Sequence, residues 1–87
     1  MDNAEIVAKL RKLLVEHLFV EIPEEKIGLD DGLQSVVGLD SVGFVELRLL
    51  CERFFNVQIA DELYTPEHFS SIRRLSALLE RLQKAAA

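Results

Sequence analysis

Apolar residues recur along this chain at helical intervals, and the polar positions between them divide it into helices and connections. Ile6, Leu10, Leu13, Leu14 and Leu18 fall on one side of a helix, with Lys9, Arg11, Lys12 and Glu16 on the other. Asn3 is the expected N-cap, Asp2 and Glu5 suit the positive end, and the pattern runs to about Val20 before Pro23 stops it. A second helix is predicted over Ser41 to Phe55, with Asn56 as its stop. At roughly 100° per residue, Phe44, Leu47, Cys51, Phe54 and Phe55 share one face, which is core. Val42, Val45 and Leu49 fall on nearly the opposite face, flanked by Glu46 and Glu52. Thr65-Pro66 is a helix-start signal for a short third helix near residues 66–69. Ser70 is the expected cap of a fourth helix, whose stripe is Ile72, Leu75, Leu78, Leu79 and Leu82, ending near Lys84. Nothing reads as a strand.

Residues 21–40 form a long connection, and a structureless loop of that length is unusual in a compact domain. Its spaced apolar residues, Ile22, Ile27, Leu29, Leu33 and Val36 or Val37, predict that it is pinned to the core. Asp30-Asp31-Gly32 supplies turn chemistry. It is a poor calcium loop, since the alternation of acidic ligands is missing and Gly38 stands where a glutamate is required.

Length and charge change this picture in a few respects. The 87 residues make one domain, 1–87, with a single modest core. One cysteine, Cys51, precludes an intramolecular disulfide, and its place on the core face makes it a small hydrophobe. The acidic start is unlike a secretory signal, and no apolar run reaches the ~20 residues of a membrane span, so the expectation is a soluble, cytoplasmic, monomeric protein. The net charge of −5 is concentrated between Glu16 and Glu67, where twelve acids face three bases. Such a surface repels nucleic acid and anionic lipid and suits basic protein partners. A helix in so small a domain can hardly bury both faces. The Val42/Val45/Leu49 stripe therefore reads as a docking surface.

Two kinds of chemistry meet at Gly38-Leu39-Asp40-Ser41-Val42-Gly43. The run looks like a hydrolase nucleophile elbow, but it has one residue too many between the first glycine and the serine. No buried strand precedes it, and neither His17 nor His68 sits beside an acid at a spacing that declares a triad. The other reading is better. A serine at an exposed helix start is inert alone but is a good acceptor for a phosphodiester-linked group, because helix N–H groups and the helix dipole favour a phosphate there.

The Gly38-Leu39-Asp40-Ser41-Val42 run resembles the modification site of the acyl carrier protein family, usually Gly-x-Asp-Ser-Leu, with Val42 in place of leucine. The Val45-Glu46-Leu47 run and the Pro66-Glu67-His68-Phe69-Ser70-Ser71-Ile72 approach to the last helix match as well, so the resemblance spans nearly the whole chain. It implies an all-α four-helix bundle with a long first loop and a short helix III. It implies a 4′-phosphopantetheine arm on Ser41, donated by coenzyme A through a phosphopantetheinyl transferase, with Asp40 as the flanking motif residue. Acyl groups would ride on the arm as thioesters. Partner enzymes that load or transfer them would meet Val42, Val45, Glu46, Leu49 and Glu52 through basic patches. Arg53 stands where fatty-acid carriers often have a further acid, which points towards a specialised pathway, fatty-acid- or polyketide-like, rather than general fatty-acid synthesis.

The expectation is thus a freestanding acyl carrier that is not itself an enzyme, with no metal. An aminoacyl or peptidyl carrier is the alternative within the class. A helical adaptor that is never modified, using Ser41 only as an N-cap, is the alternative outside it. The phenylalanines on the core face, with Phe44 one turn from Ser41 and Phe19 and Phe69 expected to converge on the same interior, lead to a further expectation: a short or polar cargo left in solvent.

Overall fold

The computed structural model describes residues 1–86. Three α-helices, α1 (Asn3–Glu16), α2 (Ser41–Phe55) and α3 (Ile72–Ala86), pack around one apolar core, and there is no strand among the described residues. Single 3-10 turns occur at Glu24–Lys26 and Asp61–Leu63. The core is built from Ile6, Leu10, Leu13 and Leu14 of α1, Leu47, Cys51 and Phe55 of α2, and Ile72, Leu75, Leu78 and Leu79 of α3.

The cap of α1 is Asp2 and not Asn3. Asp2 Oδ1 accepts from the Glu5 N–H at 2.8 Å, and Glu5 Oε1 accepts from the Asp2 N–H at 3.2 Å, a reciprocal capping box that the spacing Asp2-x-x-Glu5 makes possible. Asn3 instead reaches α3, donating to Ser76 Oγ at 3.3 Å. The helix also ends earlier than its apolar pattern, at Glu16 with His17 as C-cap. The carbonyls of Leu13 and Leu14 accept from the Leu18 and Val20 N–H groups, and Phe19 takes a left-handed conformation, φ 56°. Leu18 and Val20 still pack on the core without being helical, because periodicity registers burial and not hydrogen bonding. Phe19 does not converge on the interior: it is 81% exposed.

The bounds of α2 are those expected. Asp40 Oδ1 accepts from the Gly43 N–H at 2.7 Å, and Asn56 closes the helix in the left-handed region, which asparagine tolerates. Phe44 and Phe54 are half-buried, so the fully buried face narrows to Leu47, Cys51 and Phe55. Phe54 lies at the rim, beside His17 at 5.3 Å and under Lys9 and Arg53 at 4.9 and 5.5 Å.

A fourth helix is not formed. Residues 66–69 make a single turn, closed by the Phe69 N–H on the Thr65 carbonyl at 3.1 Å and by the His68 N–H on Thr65 Oγ1 at 3.2 Å. Pro66 contributes no N–H, and one closing bond is too little to nucleate a helix of this length. Ser70 donates to the Glu67 carbonyl at 2.9 Å and does not cap α3. That role falls to Ser71, whose Oγ accepts from the Arg74 N–H at 3.2 Å.

The connection before α2 is pinned as expected. Ile27, Leu33 and Leu39 are buried, Ile22, Leu29 and Val37 half-buried, and only Val36 is exposed. Among the described residues no helix is long and apolar enough to cross a membrane, and no cluster of three acidic, histidine or cysteine side chains is placed to hold a metal.

Candidate functional site

The chain arrives at Ser41 through a short, tightly specified run. Gly38 has φ +90°, a conformation that L side chains rarely adopt, and so it turns the backbone towards the helix. The Leu39 N–H then bonds the Leu33 carbonyl at 2.9 Å while the Leu39 side chain sinks into the core, which fixes where α2 begins. A Cβ on Gly43 would stand 3.3 Å from both Asp40 Oδ1 and Leu39 Cδ2, so a larger residue there would need these side chains to give by a few tenths of an ångström.

Asp40 occupies the capping position, and Ser41 is the first helical residue. The two adjacent polar side chains are thereby separated in role. Asp40 satisfies the Gly43 N–H, and the Ser41 hydroxyl has no protein hydrogen bond among the described residues and faces solvent. The Ser41 and Val42 N–H groups lie in the first turn, where no intrahelical acceptor exists, at the positive end of the dipole. A phosphodiester on Ser41 Oγ fits this position. It would require no buried group to move, and the first-turn N–H groups would be available to it as donors.

Along α2 from Ser41, Val42, Val45 and Leu49 are 63%, 49% and 58% exposed, and Glu46 is exposed beside them. The stripe is continuous. Glu52 is placed differently from its neighbours: it is half-buried, and its Oε2 accepts from the Ile59 N–H at 2.8 Å. One carboxylate oxygen of Glu52 thus holds the chain after α2, whereas Glu46 makes no such bond among the described residues.

The interior beside Ser41 also departs from expectation. A groove of about 760 Å³ opens at Ser41, walled by Phe44 and Val45 of α2, by Gly32, Gln34 and Ser35, and by the 64–70 segment with Tyr64 and Phe69. Phe44, half-buried, is one of the residues that line the groove. Phe69 is buried beneath, with Tyr64 set edge-on against it at 5.1 Å and 90°. Three sequence-distant segments make this space, so no local pattern announces it.

Arg48 is the residue that the pattern of α2 leaves unremarked. Its Nη2 donates to the Ile59 carbonyl at 2.6 Å and to Asp61 Oδ1 at 2.8 Å, and its guanidinium lies 4.8 Å from the centre of the Tyr64 ring. Its position on the helical wheel, between the buried face and the exposed stripe, was the only signal available.

The nucleophile-elbow alternative has no support in this geometry. His17 ends α1 against Phe54, and His68 Nδ1 lies 3.0 Å from Thr65 Oγ1, so each ring is engaged locally. Cys51 is buried, and burial foremost, with the Glu52 carboxylate second, pushes its thiol up to about 12.

Residues 8–79 match the family model described as "Phosphopantetheine attachment site". Its match covers most of the chain and includes the whole of α2 and the groove. The group it implies, covalent 4′-phosphopantetheine, fits the free hydroxyl and open helix start described above. The chain belongs to the phosphopantetheine attachment site family, the carriers that hold a covalent 4′-phosphopantetheine arm.

Proposed function

We propose that Ser41 bears the arm and that the protein is an acyl carrier, moving acyl groups between enzymes without catalysing their chemistry. The observation that carries this reading is the division of labour at the start of α2. Asp40 caps the helix and leaves the Ser41 hydroxyl exposed and unbonded among the described residues, at the end of a dipole that favours phosphate. The arm, once attached, supplies a terminal thiol that holds the cargo as a thioester, and tethering raises the effective concentration of that cargo at each partner. The protein's own residues attach, present and shelter.

Presentation belongs to the outer face of α2. Val42, Val45 and Leu49 offer apolar contact beside the attachment point, and Glu46 offers a charge that steers basic partner surfaces, among them the phosphopantetheinyl transferase and the enzymes that load and unload cargo. Shelter belongs to the groove. Its Phe44, Tyr64 and Phe69 walls support an apolar acyl cargo over a charged aminoacyl one, a reading set beside the short or polar, solvent-borne cargo expected from packing of the phenylalanines.

Intact mass after incubation with a phosphopantetheinyl transferase and coenzyme A tests the attachment. The expected result is one arm on the wild-type protein and none on Ser41→Ala, with helix content unchanged because Asp40 and not Ser41 is the cap. Arm-sized mass on Ser41→Ala, or none on the wild type, overturns the assignment.

A further inference from the structure

One wall of the groove beside Ser41 comes from the connection after α2. The 56–71 segment lines it with Tyr64, Thr65 and Pro66, and further along with Phe69 and Ser70. What holds Tyr64 in place comes from the far side, from a residue that does not line the groove. Arg48 lies seven positions after Ser41, about 10 Å along the helix. A single nitrogen, Nη2, bonds both the Ile59 carbonyl and Asp61, and the flat guanidinium covers the Tyr64 ring. The Tyr64 ring also meets Phe69 edge-on, and Phe69 is 2% exposed and packed in the core. Tyr64 is therefore clamped between a buried phenylalanine and an arginine. Only the second of these contacts involves a side chain that is partly open to solvent, at 22% exposure.

The exposed Arg48–Asp61 ion pair would by itself hold little, since Asp61 is 93% exposed. The bond to a backbone carbonyl and the stacking on an aromatic ring are stronger restraints, because arginine's planar fork matches both. We propose that Arg48 is a positioning residue for the cargo. By fixing Tyr64 it sets the width of the groove, and with it how well an acyl chain hung from Ser41 is sheltered from water. This rests on the reading that Ser41 carries an acyl-bearing arm.

The test uses the full chain, loaded on Ser41 by a phosphopantetheinyl transferase with acetyl-, hexanoyl- or decanoyl-coenzyme A. The readout is the rate at which hydroxylamine cleaves each thioester. On the wild-type protein the decanoyl thioester should be cleaved roughly tenfold more slowly than the acetyl one, a factor that burial of about two methylenes supplies. Arg48→Met should bring the two rates together, and Tyr64→Ala should do the same by a route that leaves α2 untouched. Tyr64→Phe, which keeps the ring, should retain the wild-type ratio, and Arg48→Lys should retain part of it. A merely bracing role for Arg48 would lower melting temperature yet leave the ratio of rates as in the wild type. That result overturns the proposal, as does a wild-type protein on which chain length makes no difference. Mass spectrometry of each loaded variant keeps the two readings apart. An equal single acyl-arm addition on every variant, absent from Ser41→Ala, upholds attachment at Ser41 whatever the rates show, while its absence from the wild type overturns the carrier reading and this one with it.

Discussion

Two connections flank α2, and they are held in place by different means. The one before it is plugged into the core by Ile27, Leu33 and Leu39, and its backbone finds partners as it goes. The Leu33 N–H bonds the Ser70 carbonyl, the Leu29 carbonyl accepts from the Arg73 N–H, and the Ile27 carbonyl accepts from Arg11. The one after α2 also buries Val57, Ile59 and Phe69, but its path is set by two charged side chains of α2 acting on one residue. Glu52 takes the Ile59 N–H and Arg48 the Ile59 carbonyl. The first connection delivers Ser41 to a fixed point. The second forms one wall of a groove. Burial fixes the first connection along its length, and paired hydrogen bonds fix the second at one residue.

The contrast can be broken most directly at Leu33, which is fully buried. Leu33→Ala should cost about 2–5 kcal/mol in denaturant unfolding, as for other core leucines. A cost below ~1 kcal/mol would mean that the first connection is not plugged. Next in size is Glu52→Ala, which leaves the Ile59 N–H without its acceptor at a buried residue and should cost roughly 1–3 kcal/mol. Amide exchange sharpens the point. The Ile59 amide should exchange faster in this variant while the Leu33 amide does not, and equal acceleration of both would erase the distinction. Leu49→Ala serves as the reference, since its side chain is exposed and supports neither connection. Its effect should stay within about 0.5 kcal/mol, and a loss of several would show that the outer face of α2 is buried in solution.

The smallest effect belongs to the ion pair that ties the first connection to α3. Hydrogen bonds from Arg73, first, and its charge hold the Asp30 carboxyl below its ordinary range. A carboxylate whose folded value is depressed stabilises the fold above its unfolded value, and that contribution is lost as pH falls through the lower, folded one. Asp30→Asn should therefore melt slightly below the wild type at neutral pH, with the gap closing in acid. A gap that stays constant with pH would mean that the pair contributes nothing.

How far the chain could be read in advance follows from where each signal lies. The bounds of α2 were legible because Asp40 and Asn56 are local start and stop residues, and the exposure of Val42, Val45 and Leu49 follows from one helix's periodicity. The end of α1 was overestimated because Leu18 and Val20 continue an apolar pattern after the helical hydrogen bonds have stopped. The cap at Asp2 was missed though its partner Glu5 stands at the diagnostic spacing. The short third helix reduced to one turn because four residues opening on a proline give only one closing bond. At the site, the placement of Ser41 was readable. The groove and the Arg48–Tyr64 contact were not, since they join segments that only the tertiary fold brings together.

Cys51 has a consequence for anyone who works with this molecule. The chain's single thiol is sealed between helices and remains protonated at pH values where ordinary thiols ionise. Once an arm is attached, the protein holds two sulfhydryls, but only the one at the tip of the arm is both accessible and ionisable. A maleimide or haloacetamide dye added at mild pH to the native holo-protein would thus report the unloaded arm alone, against a dark background. The fraction of carrier that is empty then becomes a quantity read from a gel.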